Sequence, residues 1–364
     1  MQAEQTSHAA AWLAPELAGD TSWIYSLDVA ASSDMATAVR SAAQLGKHLL
    51  DYRKEDFNFA NAAPVIEQAF QQAKHGRGLA ILRNLPRGSL SEKEFELMTW
   101  GIGLHQGVAR PQSKASQYIS PVRDVGVDYR SAKGRGYSSN AELDYHTDRA
   151  DVIVLSCYNK AESGGKSMVV STAAAFKRFA ERHPGLLEFM VRPVHFSRQG
   201  EMRPGEGPTF VHPVVTEVEG QRFVRWNRNR VVTAQEIPGV PRIEADFWHA
   251  LDTFDAILHE PDIEFSMYLQ PGDMQILNGN ATLHARTNYM DGDDPMQKRL
   301  MFRLWLSTPD SGPVPASWAG VYGAVDAGAV RGGILGDHYD DACRAFDKRQ
   351  AKVFGMSYDA QLYG

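Results

Sequence analysis

Hydrophobic and polar positions follow two different rhythms on either side of about Arg110. Before it, apolar residues recur at helical spacing. "DMATAVRSAAQLGKHLLDY" and "AAPVIEQAFQQAKHG" both predict helices, the second closed by a glycine. "SEKEFELMTWGIGLH" opens with Ser91 followed three residues later by Glu94, the capping-box start of a further helix. "GLAILRNLP" is a continuous apolar run closed by proline and predicts a buried strand. Beyond Arg110 the pattern shortens into β-rich runs separated by turns: "DVIVLSCYN", "GGKSMVVST", "EFMVRPVHFS", "TFVHPVVTEVEGQRFVRWN", "IEFSMYLQ", "GDMQILNG" and "KRLMFRLWLS". Their number and spacing predict a β-sandwich or barrel. Two helical stretches interrupt them, "STAAAFKRFAERHPG" and "ADFWHALDTFDAILHEP", the latter with Phe247, Leu251, Phe254 and Leu258 on one face. After Thr308 the chain turns Gly/Ala/Pro-rich and finishes in a charged helical tail.

The strand "KRLMFRLWLS" carries the most informative alternation. Arg299, Met301, Arg303 and Trp305 fall on one face, and Leu300, Phe302, Leu304 and Leu306 on the other. One arrangement points the leucines inward and the arginines to water. In the other, Met301 and Trp305 draw the arginine face into burial, where a guanidinium wants a carboxylate partner. A long Gly/Pro/charged loop, "SRQGEMRPGEGP", holds Arg198 and Arg203 and predicts either a lid over a site or a solvated connection.

Composition narrows the class. The 364 residues are 43% hydrophobic and 23% charged, an ordinary globular balance with length enough for a large core. A net charge of −6 gives no bulk electrostatic case for nucleic acid or an anionic membrane as partner. The cysteines, Cys157 and Cys343, are far apart and form no metal-spacing pair, so a reduced, cytoplasmic protein is expected. The first residues lack the basic-then-apolar pattern of a secretory signal, and no run approaches a membrane span. No boundary separates autonomous domains. The expectation is one catalytic domain over residues 1–364: a mainly helical part (1–105), a β core with helical insertions (106–308) and an extension (309–364). Assembly as a homo-oligomer stays open.

For chemistry, two H-x-D patterns stand out, His146/Asp148 and His338/Asp340. Chance alone supplies roughly one or two such matches in a chain of this composition. The second lies in "GDHYDDACRAFDKRQ", helical in texture, where positions i and i+2 do not share a face; it predicts a solvated helix start. The first enters a strand, where i and i+2 point the same way, so an imidazole and a carboxylate can converge. His284, placed just after the strand "GDMQILNG" and its turn, is the third candidate. Two histidines and one carboxylate form the facial triad of non-heme iron oxygenases. A hydrogen-bonded loop histidine and a solvated turn aspartate are the plain alternative. Asn140, six residues before His146, suits either a substrate hydrogen bond or a turn cap. Tyr137, Tyr145 and Trp226 belong to either a pocket wall or the core.

Four segments in order, "NAELDYHTD", "ESGGKSMVVSTAAAF", "YLQPGDMQILNGNATLHART" and "KRLMFRLWL", spanning about residues 135 to 308, resemble the taurine dioxygenase/TfdA-like family of Fe(II)- and 2-oxoglutarate-dependent oxygenases. The resemblance implies a mainly β fold with flanking α-helices around a double-stranded β-helix, the jelly-roll or cupin-like core. It places His146, Asp148 and His284 on the iron ligands and Arg299 on the arginine that grips the distal carboxylate of 2-oxoglutarate. Ser167 falls where family members usually carry a threonine, a departure that keeps a hydroxyl. Arg303 falls where some relatives bind an anionic group of the primary substrate. The implied cofactors are Fe(II), 2-oxoglutarate and O2, and the implied reaction releases succinate and CO2 while a small polar or anionic metabolite, such as an amino acid or natural-product intermediate, is hydroxylated. Desaturation and oxidative cyclisation use the same cofactors. Retention of Asp148 speaks against halogenation, in which related enzymes replace the carboxylate with a small residue. A non-catalytic cupin-like binding protein and a zinc hydrolase are the alternatives of other classes.

Overall fold

A computed structural model describes residues 10–126, 138–203, 205–218 and 220–363. Among the described residues, the part before residue 106 supplies a short helix, Ala14–Ala18, three longer helices and two strands. Strand β1 (Ile24–Ser26) leads into helix α1 (Val29–Gln44), started by the Asp28 carboxylate, which accepts from Ala31 N at 2.7 Å. The helix ends earlier than its periodicity predicts, because Gly46 turns left-handed at φ 58° and "KHLLDY" continues in short turns. Helix α2 (Ala63–His75) has Pro64 in its first turn, β2 is Leu79–Arg83, and α3 (Glu92–Leu104) starts on the expected Ser91/Glu94 capping box.

Strands β3 (Val108–Arg110), β4 (Ile119–Val122), β5 (Leu143–His146), β6 (Val152–Asn159) and β7 (Ser167–Ser171) follow, then helix α4 (Thr172–Arg182). Next comes the hairpin β8 (Pro193–Ser197) with β9 (Thr209–Pro213), then α5 (Arg228–Ala234) and α6 (Ala245–Leu258). The run "EFMVRPVHFS" is therefore only half strand, its first part being helical over Leu187–Met190, with Pro193 setting the change. Strands β10 (Phe265–Met267), β11 (Met274–Asn278), β12 (Thr282–Arg286) and β13 (Leu300–Ser307) complete the core, and α7 (Asp341–Phe354) packs near the end.

Two sheets face each other. The larger runs β1-β2-β11-β6-β13-β3, with β4 also on β13; the smaller runs β10-β7-β12-β5. All these pairings are antiparallel except β1 with β2. Between the sheets lie Ile81, Ile153, Val169, Leu277, Met301 and Trp305. On the far side of the larger sheet, Leu300, Phe302, Leu304 and Leu306 meet α1, α2 and α3. The arginine-bearing face of β13 thus points into the barrel and its leucines into the helical layer. On the far side of the smaller sheet, Val170 and Leu283 pack with α4 and with Phe247, Leu251, Phe254 and Leu258 of α6, all four buried as the periodicity predicts. Among the described residues, no helix is long and apolar enough to cross a membrane.

Candidate active site

His146 is the last residue of β5, and His284 stands in mid-β12 directly opposite it in the ladder. Asp148 lies not in a strand but in the turn between β5 and β6, and His284 lies in a strand, not in a loop after one. The turn accomplishes what the pleat was expected to do. Thr147 donates from both N (2.9 Å) and Oγ1 (3.2 Å) to the Trp226 carbonyl, which ties it away from the barrel and brings Asp148 back toward His146.

One donor atom from each of His146, Asp148 and His284 lies within 4.8 Å of the others. His146 Nε2 is 3.8 Å from Asp148 Oδ1, and His284 Nε2 is 3.5 Å from Asp148 Oδ2. His146 Nδ1 is 2.9 Å from the Asp144 carbonyl, which can only accept; Nδ1 therefore holds the proton and Nε2 offers its lone pair inward. Burial, with His284 second, pushes His146 down to about 4, so the ring is neutral, the form that ligates metals. Burial alone would raise the Asp148 carboxyl, but Arg303 and the two histidines outweigh it and hold it well below the usual carboxylate range. Trp305 Nε1 donates to Asp148 Oδ2 at 2.9 Å, and Arg303 Nη1 lies 3.6 Å from the same oxygen. Arg303 Nε also donates to Gln112 Oε1 at 2.7 Å. Arg303 is thus turned toward an internal acid and holds the candidate ligand in place.

Two cavities flank the triad. The first is lined by both histidines and by Ser167, Gln275, Arg299 and Arg303. Arg299 is 3% exposed, and among the described residues its Nη1 has no hydrogen-bond partner; Nη2 reaches the Met301 sulfur, and Tyr289, its ring 4.9 Å away, and Asp291 support the charge. Burial lowers its pKa from the ordinary arginine value. The "GG" before Lys166 is required here. Gly164 and Gly165 are left-handed at φ 72° and 71°, and a Cβ on Gly164 would come within 2.2 Å of the Asn288 carbonyl. Ser167 Oγ donates to Gln275 Oε1 at 2.9 Å, leaving Gln275 Nε2 without a partner. A buried guanidinium, an amide N–H and a hydroxyl that face one cavity suit the carboxylate of a small diacid.

The second cavity opens on the other side of Asp148 and is lined by Arg149, Arg225, Arg230, Phe210 and Trp305. Arg149 is 6% exposed with Nη2 unpartnered; burial and the neighbouring guanidiniums lower it to about 9. Arg230 donates to Glu201 Oε2 at 2.8 Å. Arg198, expected on a lid or in solvent, is 7% exposed and donates to the Gly320 carbonyl at 3.0 Å. Arg203 stays half-exposed and pairs with Glu206 at 3.4 Å. None of the arginines lining this cavity was singled out from the sequence. The signal within reach was "RWNRNR", three arginines in six residues directly after a strand candidate.

Other candidates fall elsewhere. Asn140 is exposed and lines neither cavity; its backbone carbonyl accepts from Tyr289 N at 3.1 Å. Tyr145 and Trp226 belong to the core outside the smaller sheet, and Tyr137 lies outside the described residues. Asp340 caps α7 by accepting from Cys343 N at 3.0 Å, the helix start its texture predicts.

A double-stranded β-helix with two histidines and a carboxylate converging inside the barrel is the architecture of a non-heme iron oxygenase. The pattern of the taurine catabolism dioxygenase TauD, TfdA family matches residues 41–305, and the chain belongs to that family. It is accordingly an Fe(II)- and 2-oxoglutarate-dependent dioxygenase. It is 30% identical over 310 residues to FR-33289 synthase of Streptomyces rubellomurinus, covering 84% of this chain and 91% of that one. It is 22% identical over 204 residues to a uridine-5'-phosphate dioxygenase of an Amycolatopsis species, 54% of this chain and 72% of the relative. Among solved structures it is similar in fold to the non-heme iron oxygenase OrfP in complex with Fe and alpha-ketoglutaric acid. There the TM-score is 0.59 at 13% identity, over 78% of this chain and 94% of that one.

Proposed function

We propose that His146, Asp148 and His284 hold the Fe(II) of this dioxygenase, that Arg299 and Ser167 seat 2-oxoglutarate, and that the substrate hydroxylated is a small polar or anionic metabolite. The observation that carries the assignment is the convergence of three donor atoms within 4.8 Å beside a buried, unpaired Arg299. A non-catalytic or hydrolytic protein has no use for that guanidinium. The relative called a uridine-5'-phosphate dioxygenase supports an anionic substrate. The free thiols Cys157 and Cys343 support a reducing, cytoplasmic setting for one catalytic unit.

When bound, iron supplies the oxidising chemistry in which O2 and 2-oxoglutarate give succinate, CO2 and an oxygenated substrate. The chain's own residues do the rest. The Asp144 carbonyl fixes the His146 tautomer, and Trp305 with Arg303 orients the Asp148 carboxylate and keeps it ionised. Arg299 offers two N–H groups to one carboxylate of the diacid, and the Ser167 hydroxyl has lone pairs and a rotatable proton to complete the contact. The apolar residues between the sheets, Ile153, Val169 and Met301 among them, keep bulk water from this side of the centre.

Anaerobic addition of Fe(II) and 2-oxoglutarate is expected to produce a weak visible charge-transfer absorption that Asp148→Ala abolishes. Tight zinc binding with no such absorption would overturn the assignment.

A further inference from the structure

We propose that the cavity lined by Arg149, Arg225 and Arg230 receives a tetrahedral dianionic head group of phosphoryl type, so that the primary substrate is a phosphate monoester or a phosphonate. This rests on the iron assignment only for the identity of the reacting centre; the anion pocket stands on its own residues.

The charges around the cavity do not balance. Glu201, almost fully buried, pairs with the partly buried Arg230 at 2.8 Å and supports the Arg149 charge from beyond contact. Arg198 lies 3.6 Å from Glu206, which Arg203 also contacts. Arg225 gives its Nη1 to neutral acceptors, the Tyr322 hydroxyl at 3.1 Å and the Asp148 backbone carbonyl at 3.4 Å. Arg149 has no hydrogen bond or ion pair from its guanidinium among the described residues and rests over the Phe210 ring at 5.2 Å. The Asp148 carboxylate is turned to Trp305, Arg303 and the two histidines and acts on Arg225 only from a distance. Among the described residues, the guanidiniums of Arg149 and Arg225 are thus buried with no carboxylate in contact. A fold keeps such charges at a cost in stability, and the cost is recovered when an anion arrives.

Two uncompensated charges call for a dianion, and planar guanidinium forks match phosphoryl oxygens two at a time. The pocket is not a second 2-oxoglutarate seat, because Arg299 and Ser167 line the other cavity, across the triad. Nor does it suit a polymer: the space open to water inside the ring of arginines is about 50 Å³, room for one small head group. Because Asp148 itself lines the wall, the carbon to be oxidised lies only a few bonds from phosphorus.

The test is calorimetry on the full chain at about pH 8, above the second ionisation of a phosphate monoester, with methylphosphonate, methyl phosphate and acetate as probes. At least one phosphoryl probe is expected to bind about tenfold or more tighter than acetate, and the tighter of the two tells a phosphonate from a phosphate ester as the natural source. Arg149→Gln is expected to weaken that probe about thirtyfold or more while melting no lower than the unsubstituted protein. Acetate binding as tightly as both phosphoryl probes overturns the proposal whatever the variant does, and so does a lower melting temperature in R149Q, which would make Arg149 a structural ion. The Fe(II)/2-oxoglutarate absorption, recorded on the same samples, separates the two assignments. Absorption without phosphoryl binding sinks the pocket alone; phosphoryl binding without absorption sinks the iron assignment and leaves the pocket standing.

Discussion

Arg110 and Arg299 are buried almost equally, at 0% and 3% exposure, yet their surroundings are opposite. Arg110 faces Asp347 in a closed ion pair, and Tyr118 and Tyr339 donate to the same carboxylate at 3.1 and 2.6 Å. Burial works against the Arg110 charge, but Asp347 outweighs it and keeps the guanidinium firmly protonated. Arg331 repeats the arrangement with Asp151 at 2.7 Å. Among the described residues, no carboxylate touches the guanidinium of Arg299 or that of Arg149. A buried cation that brings its own anion is scaffold. One that lacks it is a receptor, and the cavity beside it says what fits. His212 shows a third solution, since it sheds its charge altogether: burial first, then Arg225, lowers it to about 3.

The sharpest way to break this comparison is to remove the anion that the fold supplies. Asp347→Ala is expected to cost about 3–5 kcal/mol in chemical denaturation, because it strands a buried guanidinium, while the folded fraction keeps its KM for 2-oxoglutarate. An altered KM with little loss of stability would mean the pair belongs to the site. Next in size, Arg299→Gln is expected to raise the 2-oxoglutarate KM about 100-fold without lowering Tm, since it removes a charge that had no partner. A Tm drop matching that of D347A would erase the distinction between receptor and scaffold. The smallest effect concerns His212. Its folded pKa of about 3 lies below the unfolded value of about 6.5, so its contribution is complete above about pH 6.5 and is lost as pH falls toward 3. Between about pH 7 and pH 5 the unsubstituted protein should lose about 2 kcal/mol more stability than His212→Gln; equal losses would show that the ring protonates freely in the fold.

One half of the proposed site was legible in the sequence and the other half was dark, for a physical reason. His146, Asp148, His284, Arg299 and Ser167 sit in segments with strong local texture, strand runs and a double-glycine turn, in an order that resembles a family. Even there, local periodicity misplaced details. Asp148 reaches His146 through a turn pinned by the Trp226 carbonyl, 79 residues away, and no pleat argument could foresee that. The alternation in β13 correctly placed Arg299 and Arg303 inward with Met301 and Trp305. Arg149 and Arg225 come from segments 76 positions apart with no shared motif, and only the folded barrel makes them neighbours. Whether a guanidinium has a carboxylate opposite it is a question of partners, and partners are tertiary.

Strand β6 has one more consequence, which concerns the order in which the chain is made. Six of its eight residues are buried, and both of its ladder neighbours, β11 and β13, lie more than 100 residues downstream. At about 5–20 residues per second, a ribosome needs roughly 7–30 s after completing β6 to deliver the last residue of β13. Until β11 is made this apolar strand waits with both edges bare, and until β13 is made with one, a template on which nascent chains aggregate. Any fragment ending before Met274 keeps that hazard permanently.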